Sequence, residues 1–146
     1  MKIHGYDPVK VQPMREELTQ IGFEELLSPQ DVDAAFSDAN GTMLLVVNSV
    51  CGCAAGSARP AVKLALEQGG RPDRLATVFA GMELKAVERA RSRFAGYQPS
   101  SPQMGLFKDG NLVFMLERQD IEGRTAEDIA ADLRGAFDEH CDTSER

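Results

Sequence analysis

The chain has 146 residues, 42% of them apolar and 27% charged, with a net charge of −7. That length can bury a single core without covalent staples, and the acidic balance with scattered basic residues argues against a general nucleic-acid or anionic-membrane surface. Three cysteines are too few and too unevenly placed for a disulfide framework, so they point to redox or metal chemistry or to inert thiols.

In chain order, Asp7-Pro8 opens a helix, with Asp as cap and Pro at the first helical position, and Val11, Met14, Leu18 and Ile21 follow at helical spacing up to Gly22. Ser28-Pro29 repeats the start signal for a shorter helix through Val32, Ala35 and Phe36, ending before Asn40-Gly41. These two helices form an N-terminal elaboration over 1–41, ahead of a core over 42–138 and a polar tail over 139–146. The first residues show no apolar signal-peptide core and no run approaches a membrane span, so a cytoplasmic protein is expected. His4 and His140, near the termini, read as solvated surface residues.

The apolar run 43–47 reads as a buried strand, and residues 58–68 as a helix with Ala54, Ala58, Ala61, Val62, Ala65 and Leu66 on one side. Pro60 inside this helix removes a hydrogen bond to the Gly56 carbonyl and predicts a kink. Between strand and helix stands Asn48-Ser49-Val50-Cys51-Gly52-Cys53-Ala54-Ala55-Gly56. A helix N-terminus favours negative charge, so a thiolate is at home there.

A second strand follows at 75–80, then a helix over 83–94 presenting Leu84, Val87, Ala90, Arg91 and Phe94, then a breaker-rich loop from Gly96 to Pro102. Two apolar runs, 103–107 and 112–116, flank Asp109-Gly110, a strong hairpin signal. Thr125 caps a last helix carrying Ile129, Leu133, Ala136 and Phe137. The core order is strand, helix, strand, helix, strand, strand, helix. Helical crossovers predict parallel pairing first and the hairpin an antiparallel pair last, hence an α/β fold with a mixed four-stranded sheet flanked by helices.

That order, with a cysteine pair between the first core strand and its helix, resembles the thioredoxin fold. The segment from Asn48 to Gly56, followed by Ala58-Arg59-Pro60, resembles the signature of the bacilliredoxin family, as do Ser100-Ser101-Pro102, Lys108-Asp109-Gly110, Glu117-Arg118 and Ile121-Glu122-Gly123. The resemblance implies a thiol–disulfide oxidoreductase that removes bacillithiol, a low-molecular-weight thiol, from mixed disulfides with client proteins. It implies no bound cofactor, bacillithiol serving as co-substrate. S-bacillithiolated proteins and the small thiol are the implied partners, with no nucleic acid or membrane among them. Cys51 would be the attacking nucleophile and Cys53 the resolving thiol. Gly52, Ser101 and Pro102 would face the substrate, Pro102 as a cis-proline and Ser101 offering its backbone.

Physical chemistry adds three expectations. Exchange needs an exposed thiolate with pKa near ambient pH; Cys51 stands at the mouth of the helix, while Cys53 enters the first turn and should be more shielded. Cysteines two apart close only in a tight ring with Gly52 at unusual backbone angles. That predicts a strained, oxidising pair, less negative than the about −270 mV of thioredoxin. Arg59 has two readings, an acidic-thiol contact or a plain surface charge.

Two rival functions draw on the same cysteines. One is general protein disulfide isomerisation or reduction. The other is a metal-binding module in which Cys51, Cys53, Cys141 and His140 hold zinc or copper(I), although the one-residue spacer fits structural zinc motifs poorly. No metal site is expected. Cys141 is expected in a frayed tail, from which it could reach the other thiols as a third exchange partner.

Overall fold

A computed structural model describes residues 6–37, 40–67 and 70–141. His4, Gly69 and the tail beyond Cys141 lie outside them. The elements are α1 (Pro8–Thr19), β1 (Glu24–Glu25), α2 (Pro29–Ser37), β2 (Thr42–Asn48), a π-helical turn (Ala54–Ala58), α3 (Arg59–Leu66), β3 (Arg74–Phe79), α4 (Leu84–Arg91), β4 (Gln103–Lys108), β5 (Asn111–Leu116), α5 (Arg118–Ile121) and α6 (Ala126–His140). Among the described residues no helix is long and apolar enough to cross a membrane.

The sheet order is β1-β3-β2-β4-β5. β2 pairs in parallel with β3, and β4 is antiparallel to both β2 and β5. The four expected strands are present. The sheet has a fifth, because Glu24 and Glu25 pair with Ala76 and Thr77 at the edge of β3. Two glutamates carry little strand propensity; the open edge of β3 makes this strand.

Every residue of β2 is buried, because helices cover both faces of the sheet. Leu44 and Val46 point to one layer with Leu18, Val62, Leu106, Leu133 and Phe137. Met43, Leu45 and Val47 point to the other with Val32, Phe36, Val87 and Phe107. Each such side chain contributes about 1.5–3 kcal/mol by leaving water. At the hairpin, Asp109 and Gly110 both have positive φ, 51° and 85°, as a type I′ turn requires.

α4 is shorter than its periodicity suggests. It ends at Arg91 and buries Ala86, Val87 and Ala90, while Leu84 is 51% exposed. Phe94 lies beyond the helix and stacks on Phe107, ring centroids 5.9 Å apart. Gly105 in β4 makes room for it, since a Cβ there would stand 2.6 Å from Phe94.

The kink expected at Pro60 takes the form of the π turn. The Arg59 N–H reaches back five residues to the Ala54 carbonyl, and Pro60, with no N–H, sits in the first turn of α3. The widened turn shifts the helical register by one residue just after the cysteine pair. α6 then runs beside α3 in the same direction: Ser57 Oγ donates to the Arg124 carbonyl before its start, and Arg134 donates to the Leu64 carbonyl near the end of α3.

Candidate active site

β2 ends at Asn48, and the next five residues turn the chain into the helix that follows. Asn48 Oδ1 accepts from the Ser49 N–H at 2.8 Å, and Ser49 Oγ accepts from the Cys51 N–H at 3.1 Å. The Cys51 carbonyl accepts from the N–H groups of Ala54 and Ala55 at 3.0 and 3.2 Å, which starts the helix immediately after the cysteines. Cys51 and Cys53 are free, half-buried thiols with their sulfurs 2.8 Å apart.

The two thiols are electrostatically unequal. Desolvation pushes the Cys51 thiol up, but hydrogen bonds from the Cys53 thiol, the Ala54 N–H, the Ser49 hydroxyl and the Cys53 N–H outweigh it, so Cys51 ionises below the ordinary thiol range. Burial pushes the Cys53 thiol up, and the hydrogen bond to Cys51 and the charge on it push it further. Arg118 opposes this and Glu122 adds to it; the balance is upward. Of the two, Cys51 is therefore the thiol that ionises first, with the Cys53 thiol as its hydrogen-bond donor. Both are half-buried, so the greater shielding expected for Cys53 is not seen, and the asymmetry comes from hydrogen bonding and charge.

Facing them is the loop before β4. The Ser101–Pro102 peptide is cis, Pro102 is buried, and the Ser101 carbonyl lies 4.0 Å from Cys51 Sγ. Gly52 is exposed and lies between the sulfurs' residues. With the thiols free, it is not among the glycines with positive φ, and a Cβ there would meet no heavy atom within 4 Å; the angles expected of it belong to the closed disulfide ring. In this dithiol form the turn does not demand a glycine.

Arg59 answers to neither surface reading. It is 3% exposed, and its guanidinium donates to Asn48 Oδ1 and the Ser49 carbonyl, each at 2.8 Å, and to Glu17 at 2.9 Å. Asn48 Nδ2 also donates to the Met14 carbonyl. Arg59 is thus a buried strut that ties α1 to the loop carrying Cys51, and it is not available to a ligand.

Cys141 is likewise misplaced by the sequence. It is buried at the C-terminal cap of α6, where its N–H donates to the Phe137 carbonyl at 2.8 Å. α6 starts beside the mouth of the helix and runs away from it for 15 residues, roughly 22 Å at helical rise. Cys141 and His140 therefore sit at the opposite end from Cys51 and Cys53, too far to serve as a third thiol or to complete the four-ligand metal set. Among the described residues no group of three or more Cys, His, Asp or Glu side chains is placed to hold a metal.

Arg118 is the site residue that spacing alone did not single out. Its Nη1 donates to the Ser101 carbonyl at 3.1 Å and its Nη2 to Glu122 at 3.3 Å, while its N–H donates to Ser100 Oγ. Glu122 first, then the charges on the two cysteines, hold its guanidinium firmly protonated. Two signals could have found it. The hairpin pairs Met104 with Leu116, which places whatever follows β5 beside Pro102. Glu117 and Asp120 also form a capping box, the mark of a helix start.

Solved structures share this architecture. A Fasciola hepatica thioredoxin superposes with a TM-score of 0.54 at 18% identity, covering 81% of this chain and 99% of that one. A putative oxidoreductase with a thioredoxin fold gives 0.57 at 17% identity, covering 80% and 95%. The fold is that of thioredoxin, with a dithiol at the mouth of its first core helix, and together with the family match over residues 6–141 this makes the protein a thiol–disulfide oxidoreductase. A family model described as disulphide isomerase matches residues 6–141. A bacilliredoxin of Salinibacter ruber is 56% identical over 96% of this chain and 84% of its own length. One from Halalkalibacterium halodurans is 47% identical over 97% and 100%. The chain belongs to the bacilliredoxin family.

Proposed function

We propose that this oxidoreductase removes bacillithiol from S-bacillithiolated proteins in the cytoplasm, with Cys51 as nucleophile and Cys53 as resolving thiol. The unequal ionisation of the two thiols supports this assignment: the sulfur at the mouth of the helix is the one whose pKa is lowered, while that of Cys53 is raised. The Cys51 thiolate attacks the bacillithiol sulfur of the mixed disulfide. A Cys51–bacillithiol disulfide forms, the client's S–S bond breaks, and the client leaves as a thiolate that takes a proton from water. Cys53 then loses its proton and attacks Cys51 Sγ, releasing bacillithiol and leaving a Cys51–Cys53 disulfide. A second molecule of bacillithiol can attack the adduct instead, giving bacillithiol disulfide and free Cys51. The chemistry needs no bound cofactor; the small thiol is the co-substrate.

Pro102 and the Ser101 backbone border the attacking sulfur, and there they would align the incoming disulfide. Exposed Gly52 leaves the approach open. The test is a Cys53→Ser protein offered an S-bacillithiolated client. The expected result is a bacillithiol adduct on Cys51 by mass spectrometry with one equivalent of released client thiol; absence of both refutes the proposal. The family's description as disulphide isomerase favours a second reading, attack on disulfides within proteins. In that case the same trap captures a scrambled disulfide protein faster than a bacillithiolated one.

A further inference from the structure

Beside the thiols lies a cleft of about 410 Å³ lined by Gln98, Ser100, Glu117, Arg118, Gln119 and Glu122, a volume suited to a small molecule. Every residue lining it is polar or charged, with their aliphatic stems forming much of the wall. The larger cleft against α4, about 570 Å³, has Leu84, Val87 and Pro99 in its wall; no cysteine lines either cleft. The polar cleft adjoins the exchange site through Arg118, which donates to the Ser101 carbonyl, itself 4.0 Å from Cys51 Sγ. A group attached to Cys51 therefore has this cleft within two short contacts.

The charges in the cleft restrict what it accepts. A guanidinium carries five N–H donors, and Arg118 directs one at the Ser101 carbonyl and one at Glu122, the latter a long contact of 3.3 Å. Donors remain for a carboxylate. Glu117 is engaged within its own turn, capping α5 and accepting from Gln119. Glu122 is the exposed carboxylate, with 59% of its side chain accessible. A purely anionic ligand is opposed by two glutamates, and a purely cationic one by Arg118.

We infer that this cleft seats the small-thiol half of the mixed disulfide and suits a zwitterionic, amino-acid-derived thiol, its carboxylate on Arg118 and its ammonium on Glu122. The inference rests on Cys51 carrying the adduct, as proposed above. It makes Arg118 and Glu122 specificity residues for the small thiol and leaves the protein half of the substrate to the open side of the site.

Four symmetrical disulfides separate the charges: cystine carries both, dithiodipropionate only carboxylates, cystamine only ammoniums, and hydroxyethyl disulfide neither. In Cys53→Ser protein, the Cys51 thiolate attacks each probe, forming Cys51–S–S–R and releasing one RS⁻. The rate is followed as adduct mass. Normalising each variant to its own rate with the neutral probe removes any change in Cys51 ionisation. Arg118→Gln is expected to lower the normalised rates of cystine and dithiodipropionate about fivefold, the upper range for an exposed ion pair, and Arg118→Lys to restore most of the loss. Glu122→Gln is expected to do the same to cystine and cystamine. Equal changes across all four probes overturn the cleft assignment while leaving Cys51 as nucleophile. No adduct from any probe before these substitutions overturns the underlying proposal instead.

Discussion

At the scale of single residues, the chemistry turns on which sulfur holds the negative charge. Cys51 and Cys53 differ by one glycine in sequence and lie 2.8 Å apart, yet their pKa values move in opposite directions. Among the groups that lower Cys51, the Cys53 thiol comes first. A hydroxyl can replace a thiol as donor, whereas a methyl cannot. The Cys51 alkylation rate should therefore rise with pH around a midpoint below that of an ordinary thiol. That midpoint should stay low in Cys53→Ser and move up in Cys53→Ala. Mass-spectrometric quantification of the Cys51 peptide after timed alkylation from pH 5 to 10 gives the profile. Identical midpoints in the two variants would show that the helix mouth alone sets the charge.

At the scale of elements, the helix after Cys53 departs most from its sequence pattern, and Arg59 shows why. An arginine in an amphipathic helix reads as surface. Its burial is decided by Asn48, Ser49 and Glu17, which come from other elements and leave no local trace. Strands β2, β3 and β4 were legible because burial on both faces is a property of contiguous residues, and β5 because the Asp109-Gly110 turn returns the chain beside β4. β1 was not, because a neighbour's edge creates it. Likewise Cys51, Cys53 and the Ser101-Pro102 loop were legible through a resemblance covering whole motifs, while Arg118, though within that resemblance, needed the hairpin register to be placed at the site. Arg59 bridges these levels, since its removal loosens both α1 and the loop that ends in Cys51. Arg59→Met is expected to cost about 1–3 kcal/mol in denaturant unfolding, the penalty for stranding a buried acceptor. Glu17→Gln should cost less than about 1 kcal/mol, because that carboxylate is half-exposed. The Cys51 midpoint should also rise in Arg59→Met, as Asn48 and the Ser49 carbonyl lose the guanidinium that fixes them. Equal costs for the two substitutions would mean that the ion pair, rather than the buried loop contacts, is what Arg59 provides.

At the scale of the whole molecule, the sheet separates a reactive end from a structural one. β2 and β3 run in parallel and deliver Asn48 and Phe79 to the same end; β4 starts there with Gln103, and β5 returns there with Leu116. Cys51, Ser101 and Arg118 meet because each follows or precedes a strand at that edge. α6 spans the molecule from this end to the other and carries Cys141 to the far side of the core. Of the three cysteines, two thus stand together at the mouth of the helix and one packs in the core at the other end. Cys141→Ala removes a buried sulfur from the α3/α6 layer, at a cost of about 1 kcal/mol for a methyl-sized void. For a chain of this length that lowers Tm by about 2–4 °C. The rate of adduct formation on Cys51 should be unchanged at temperatures well below Tm, because about four helical turns of α6 intervene. A lowered Tm with full exchange activity identifies Cys141 as packing. A stable variant whose exchange rate falls severalfold would instead require this thiol to reach the mouth of the helix, by a route the packing of α6 against α3 does not provide.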